Sequence, residues 1–316
     1  MTADPKPEPR ELSAQALAEV TGGVTLSLGA GNDTRSGTVA DDVILAGAGD
    51  DQIRGLGGND VATAGLGNDV VWGGAGDDSG HGEAGDDTLR GEAGDDLLEG
   101  HAGRDELDGG TGDDTLTAGS EGSHALGGEG ADSLEGWLGR DVLRGGDGND
   151  TARGGDADDL LEGEEGDDSL AGDFGRDALL GGAGNDVLAG GAGDDVLTGG
   201  EGRDVLLGGD GADLLEWSPG EGDDSMAGGA GLDALRIGPD ATDYTLDEIL
   251  DALSVVTAAG GSADGHDTSH VKVEVVDGVL LLQLLNVASA TLTLRGETIR
   301  FTGIETLRVE TASGGW

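Results

Sequence analysis

Residues 181–207 read GGAGNDVLA GGAGDDVLT GGEGRDVLL, three copies of one nine-residue unit, Gly-Gly-x-Gly-x-Asp-x-Leu-x. The unit recurs, cleanly or worn, from Leu28 to Arg236. The sixth-position Asp marks the phase. It runs through Asp33, Asp42, Asp51, Asp60, Asp69, Asp78, Asp87, Asp96, Asp105 and Asp114. Ser123 then takes its place once, and the series resumes through Asp132, Asp141, Asp150, Asp159, Asp168, Asp177, Asp186, Asp195, Asp204 and Asp213. After a two-residue slip at Trp217–Asp224, two more units carry Asp224 and Asp233, so 22 of 23 units keep the Asp. A period this regular outranks every compositional signal in deciding the fold.

Composition alone would suggest a disordered polyanion. Of 316 residues, 67 are Gly, 2% are aromatic, and the net charge is −50. Few large apolar side chains are available for a conventional core. The acidic excess repels nucleic acid and anionic membrane surfaces and favours a cationic partner. There are no cysteines, which excludes disulfides and thiolate metal sites. No run approaches 18 apolar residues, so membrane insertion is not expected. The first 30 residues lack a basic start followed by an apolar stretch, so a Sec-type signal peptide is not expected either.

Each position of the unit has a physical reason. Glycines at positions one, two and four permit left-handed backbone and let carbonyls turn toward one point. The Asp supplies a hard oxygen ligand. Position eight is expected to be the only buried one; it is large and aliphatic in 18 units, Ile44, Leu89, Leu143, Leu188 and Leu235 among them. Ala62, Gly80, Ala125 and Ala152 leave that interior underfilled. The last three residues of each unit are expected to form a short strand. One unit is then half a coil, two make one turn, and turns stack as parallel strands at about 4.8 Å. Fifth-position Asp and Asn are read as solvated loop residues. Arg104, Arg140 and Arg176 recur there every 36 residues on one edge, where they damp repulsion between acidic loops. His81, His101 and His124 read as isolated surface residues, and Trp72, Trp137 and Trp217 as scattered.

The units resemble the RTX, or haemolysin-type, calcium-binding nonapeptide GGxGxDxUx over about two thirds of the chain. The resemblance implies an all-β fold, a right-handed parallel β-roll with Ca²⁺ between stacked loops on each edge. Carried over, one site joins unit 181–189 to unit 199–207, with Asp186 and Asp204 as carboxylate ligands. Family geometry adds the carbonyls of Gly182 and Gly184 from one loop and of Gly199 and Glu201 from the next. Six oxygens suit Ca²⁺ and not Zn²⁺. The sixth-position Asp residues named above then serve about 17–21 calcium sites. The two sites beside Ser123, toward Asp105 and Asp141, should be weak or empty. With so few apolar side chains to offset chain entropy, the metal-free array should be a disordered polyanion, and binding should be coupled to folding. Such a chain stays unfolded in a calcium-poor cytosol, can thread an ABC-type exporter, and folds outside.

Three segments follow: residues 1–23, the roll at 24–236, and a cap with a type I secretion-signal region at 237–316. Leu12, Ala16, Leu17 and Val20 share one face of a short helix that Gly22-Gly23 would end. This stretch resembles double-glycine leaders cleaved after the second Gly, but departs at Ala16, where Glu is usual. The preferred reading is a helix closing the array, with cleavage after Gly23 as the alternative. In the cap, Thr245-Leu-Asp-Glu248 opens a helix with Leu246, Ile249, Leu250 and Leu253 on one face. Residues 258–270 read as a polar loop in which His266 and His270 are surface residues. Val271–Val276 and Val279–Leu285 read as a hairpin across Asp277-Gly278, and 291–295 and 298–309 as further strand. The run Gly303-Ile-Glu-Thr-Leu307 is similar to the C-terminal flanks of RTX proteins.

There is no His-Glu-x-x-His and no Gly-x-Ser-x-Gly, so the chain reads as a non-enzyme. The expectation is a secreted, extracellular calcium-binding protein, structural or associated with a cell-surface or matrix component. The alternatives are an exported effector or bacteriocin-like protein, and a secretion and folding module for a separate partner. An ice-binding solenoid would need a flat array of Thr, whereas positions seven and nine mix Val, Glu, Arg, Ser and Leu.

Overall fold

The computed structural model describes residues 22–218, 220–237, 253–257, 262–264, 271–276, 279–284, 287–294, 297–304 and 306–309. The helix expected before Gly22 lies outside these residues. The array is a parallel β-solenoid of about 12 turns, with no helix among the described residues. Strands alternate between two sheets. The odd-numbered strands, from β1 (Thr25–Ser27) to β23 (Ser225–Gly231), form one, and the even-numbered strands, from β2 (Thr34–Ser36) to β24 (Ala234–Ile237), form the other. Register advances by one full turn: β19 (Val187–Ala192) pairs with β21 (Val205–Gly211) through Val187↔Val205, Leu188↔Leu206 and Gly191↔Gly209.

Most strands are six residues long, not three. They join positions seven to nine of one unit to positions one to three of the next. The reason lies in the two adjacent glycines. Gly190 stays outside the left-handed region and continues the strand, while Gly191, at φ 108°, bends it toward the following loop. Position eight is buried from Ile44 onward, so Leu170, Leu188, Leu206 and Met226 stack along one sheet opposite Leu179, Leu197, Leu215 and Leu235 along the other. It is not the only buried position. The sixth-position Asp is also buried in every unit from Asp42 to Asp233, and Ser123 with it. The coil is thin, and each loop folds its carboxylate inward between turns instead of into solvent.

Trp217, one of the three scattered tryptophans, is 1% exposed and closes the interior at the two-residue slip. Its indole N–H donates to the Gly222 carbonyl (3.3 Å). The insertion is absorbed in this loop, and the strands resume in phase at Val205↔Ser225.

The cap continues both sheets before turning back. β30 (Glu297–Thr302) adds in parallel to β23, and β31 (Thr306–Val309) adds in parallel to β24, with Gly303 (φ 65°) between them. Antiparallel strands then cover these edges: β29 (Val287–Leu294) on β30, and β28 (Val279–Leu284) on β31. The expected hairpin forms, with β27 (Val271–Val276) paired to β28. Two readings change. Leu253, placed on a helix, opens β25 (Leu253–Thr257), and β26 (Ser262–Asp264) pairs with it where a loop was expected. The rest of that helix lies outside the described residues.

Candidate metal centre

Two columns of carboxylates run along the two edges of the roll. Each sixth-position Asp lies in the loop between a strand of one sheet and the next strand of the other. Within a column, each Oδ1 accepts the backbone N–H of the equivalent residue one turn earlier. Asp168 N–H donates to Asp186 Oδ1 (2.8 Å), and Asp186 N–H donates to Asp204 Oδ1 (2.9 Å). The other column behaves alike, from Asp159 through Asp177 to Asp195 at 2.8 Å per step. The ladder crosses the slip intact: Asp204 N–H reaches Asp224 Oδ1 (2.9 Å) and Asp213 N–H reaches Asp233 Oδ1 (3.0 Å).

The second oxygen has no such partner. In each Asp register from Asp51 to Asp213, Oδ2 is buried and accepts no hydrogen bond. A buried carboxylate oxygen left this way costs several times what an exposed one does, and one or two such atoms would need an explanation. Here the deficiency repeats every nine residues. Its surroundings repeat too. A Cβ built on Gly181 would fall on both Asp186 Oδ2 and the Gly199 carbonyl oxygen of the next turn. The same pair of oxygens closes on Gly172 (Asp177 Oδ2, Gly190 O) and on Gly190 (Asp195 Oδ2, Gly208 O). Position one therefore takes a small residue for space, glycine in most units and alanine at Ala46, Ala64 and Ala118, whereas positions two and four take a positive φ that glycine adopts at least cost. Gly182 has φ 119° and Gly184 φ 144°.

The remaining carbonyls of the expected set face the same gap between turns. The Gly182 oxygen abuts Gly200, and the Gly184 oxygen abuts Gly202. The Glu201 carbonyl already accepts the Gly184 N–H (2.7 Å), which leaves it one lone pair. The acceptors around the gap are carboxylate and carbonyl oxygens, with at least one carboxylate oxygen per turn. That donor chemistry fits a hard divalent cation such as Ca²⁺ and offers no nitrogen or sulfur to a softer one.

Electrostatics agree. Burial, followed by the neighbouring carboxylates, pushes Asp60, Asp87, Asp96, Asp114 and Asp159 up to about 7. The same causes raise Asp150, Asp186, Asp195 and Asp213 to about 6. The N–H bond to Oδ1 opposes the rise without overcoming it. A cation in the gap would remove both causes by restoring solvation and cancelling repulsion.

Ser123 breaks one column without breaking the ladder. Its Oγ accepts the Asp105 N–H (3.0 Å) and donates to the Glu121 carbonyl (2.9 Å), while its own N–H donates to Asp141 Oδ1 (2.7 Å). One neutral oxygen does the backbone work of a carboxylate and brings no negative charge to the gap.

Sequence reasoning missed two features. Fifth-position acids and amides, read as solvated, form a second ladder of opposite sense. Asp50 Oδ1 accepts the N–H of Asn68, and Asp167 Oδ1 that of Asn185, one turn later (3.1 and 2.7 Å). Within this outer ladder Arg140 and Arg176 both reach Asp158 Oδ2 (2.8 and 2.9 Å), as their damping role requires. These guanidiniums, with the Arg176 N–H, hold the Asp158 carboxyl below the usual range. His81 and His101, read as isolated, meet across adjacent turns with ring centroids 6.1 Å apart. The 18-residue turn, applied to surface positions as well as to Asp, pairs the fifth-position residues and sets His81 beside Glu99, two residues before His101.

The family model for the RTX calcium-binding nonapeptide repeat matches in overlapping copies from residue 27 to 215 and again over 220–236. No curated protein matches the chain. Among solved structures, a hyperactive, Ca²⁺-dependent, β-helical antifreeze protein from an Antarctic bacterium is similar, with TM-score 0.54 and 21% identity over 72% of this chain and 80% of that one. That likeness shows the fold. The repeat match spans well over half the chain, so the protein belongs to the RTX calcium-binding nonapeptide repeat family.

Proposed function

We propose that this calcium-binding β-roll folds when Ca²⁺ enters the gaps between its turns, and that it does so outside the cell after export as an unfolded chain. The observation that carries the reading is the repeated buried Oδ2, facing a carbonyl oxygen of the next turn and left without a hydrogen bond. In the representative gap, Asp186 Oδ2 and the Gly199 carbonyl are the core of the ligand set. The Asp204 carboxylate and the carbonyls of Gly182, Gly184 and Glu201 complete it. Bound calcium supplies positive charge against the net −50; the chain supplies oxygens already aimed by the Oδ1 ladder. The sites beside Ser123 are weak because a hydroxyl replaces one carboxylate.

An ABC-type exporter suits a chain that is an extended polyanion when calcium is scarce. After export, the rigid roll acts without catalysis, as a structural or surface- or matrix-associated element. The charged residues Glu99, Glu135 and Arg153 on the odd-numbered sheet interrupt any flat Thr array, so ice binding gains no support from the structural likeness.

The test is a calcium titration of the full chain followed by circular dichroism and calorimetry. A coil-to-β transition near 0.1–1 mM Ca²⁺, reversed by chelator, is expected, by the order of magnitude of extracellular calcium modules. A chain fully β-structured at neutral pH in chelator would refute the coupling. Cell fractionation of the native source tests export separately.

A further inference from the structure

The outer face of the odd-numbered sheet carries a side-chain cluster that the calcium edges do not use. His81 and Glu99 are ninth-position residues on successive turns, directly paired across β7 (Ser79–Ala84) and β9 (Leu97–Ala102). His101 follows Glu99 by two residues on the same strand and so shares its face. His81 Nδ1 lies 2.9 Å from Glu99 Oε2, and His101 Nε2 lies 3.3 Å from the same oxygen. One donor atom from each residue falls within 4.8 Å of the other two. The second nitrogen of His81, Nε2, sits 3.0 Å from Ser79 Oγ.

We propose that His81, Glu99 and His101 form a binding site for a borderline-soft first-row divalent cation, Zn²⁺ being the representative, separate from the calcium edges. Two imidazoles and a carboxylate are the donors such ions prefer, whereas Ca²⁺ takes six to eight oxygens. His81 Nδ1, His101 Nε2 and the Glu99 carboxylate are the ligands. With an ion on Nδ1, His81 carries its proton on Nε2, and Ser79 Oγ stands in place to accept it. Coordination replaces the two contacts to Glu99 Oε2, and rotation of three partly exposed side chains brings their donors to about 2.0–2.2 Å from the ion. Three protein ligands leave a position open to solvent on the outer face. The net charge of −50 enriches cations around it. A turn of the roll separates His81 from Glu99 in sequence, so only the folded array assembles the site.

The experiment uses the full chain in saturating Ca²⁺, with circular dichroism reporting the roll in every sample. Zn²⁺ is titrated by calorimetry and Co²⁺ by visible absorption. One Zn²⁺ per chain should bind without displacing calcium, and Co²⁺ should give the d–d bands of mixed nitrogen and oxygen ligation. Affinity should fall at least about tenfold in His101→Ala and in Glu99→Gln. It should stay unchanged in His124→Ala, which lies on the opposite sheet. Unchanged affinity in both His81→Ala and His101→Ala, or Zn²⁺ uptake only at the expense of calcium, overturns the proposal. In the unmodified protein, Co²⁺ should shift and broaden the imidazole proton resonances of His81 and His101. Their persistence unshifted would overturn it without any variant.

Discussion

At the residue scale, the repeat separates two duties of one carboxylate. Oδ1 organises backbone and Oδ2 is reserved for a ligand. Asp186→Asn keeps an acceptor for the Asp168 N–H but removes the charge from the gap. We expect calorimetry to show reduced calcium stoichiometry and a higher calcium midpoint for folding. Asp194→Asn removes the same charge from the outer ladder, keeps the acceptor for Ala212 N–H, and should leave both nearly unchanged. If the two variants behave alike, bulk charge and not the gap sets affinity. Gly80 offers the opposite kind of test. Its absent side chain leaves space bounded by Leu98, Leu89 and Val71, and an added Cβ would meet their methyl groups at 3.2, 3.5 and 3.8 Å. Gly80→Ala should therefore stabilise the calcium-loaded roll by about 0.5–1 kcal/mol, through filled space and a less flexible unfolded chain. A lowered thermal midpoint would show that the Leu98 contact is too tight to relax.

At the scale of elements, each strand has little to hold it except its two neighbours. One buried aliphatic per unit sits between turns, as Leu188 does between Leu170 and Leu206 in the same sheet. Leu188→Ala should cost about 2–5 kcal/mol, the range for an aliphatic truncated in a packed interior. The loss should be local, because coupling in a stacked array runs only to adjacent repeats. Hydrogen exchange should rise in β19 and its neighbours and stay low near β3 (Val43–Ala48). The cap matters for another reason. β30 and β31 occupy the last open edges of the two sheets, and antiparallel strands cover them in turn. A chain ending at residue 237 exposes β23 and β24 as flat parallel edges, templates for pairing with another copy. Light scattering in calcium should then report self-association that the full chain does not show.

At the scale of the molecule, the folded metal-free state is penalised by its own carboxylates. Their folded values, about 6 to 7 for the residues above, lie above the ordinary 3.8. A raised folded value means that folding takes up protons. The associated stability is complete below about pH 4 and is lost as pH rises through about 6–7. Calcium-free protein should thus show more β structure at pH 5 than at pH 8 by circular dichroism. With calcium present the direction reverses, because protons compete for the same oxygens. Equal calcium-free spectra at the two pH values would mean that the carboxylates do not govern the transition.

The sequence by itself determined the period, the coil of two units, the stacked aliphatic interior and the carboxylate column, because each is a local demand repeated every nine residues. Even the exceptions at Gly80 and Ser123 were legible as unusual residues at fixed positions of the repeat. What only the tertiary structure decided lies one turn away in space and 18 residues away in sequence. The burial of the sixth-position Asp from Asp42 onward, the six-residue strands, the division between Oδ1 and Oδ2, the outer ladder of fifth-position residues and the meeting of His81, Glu99 and His101 belong to this group. A repeat states what each residue is, but these interactions arise between copies. The axial stacking that creates them appears only when the parallel register of one turn on the next is known.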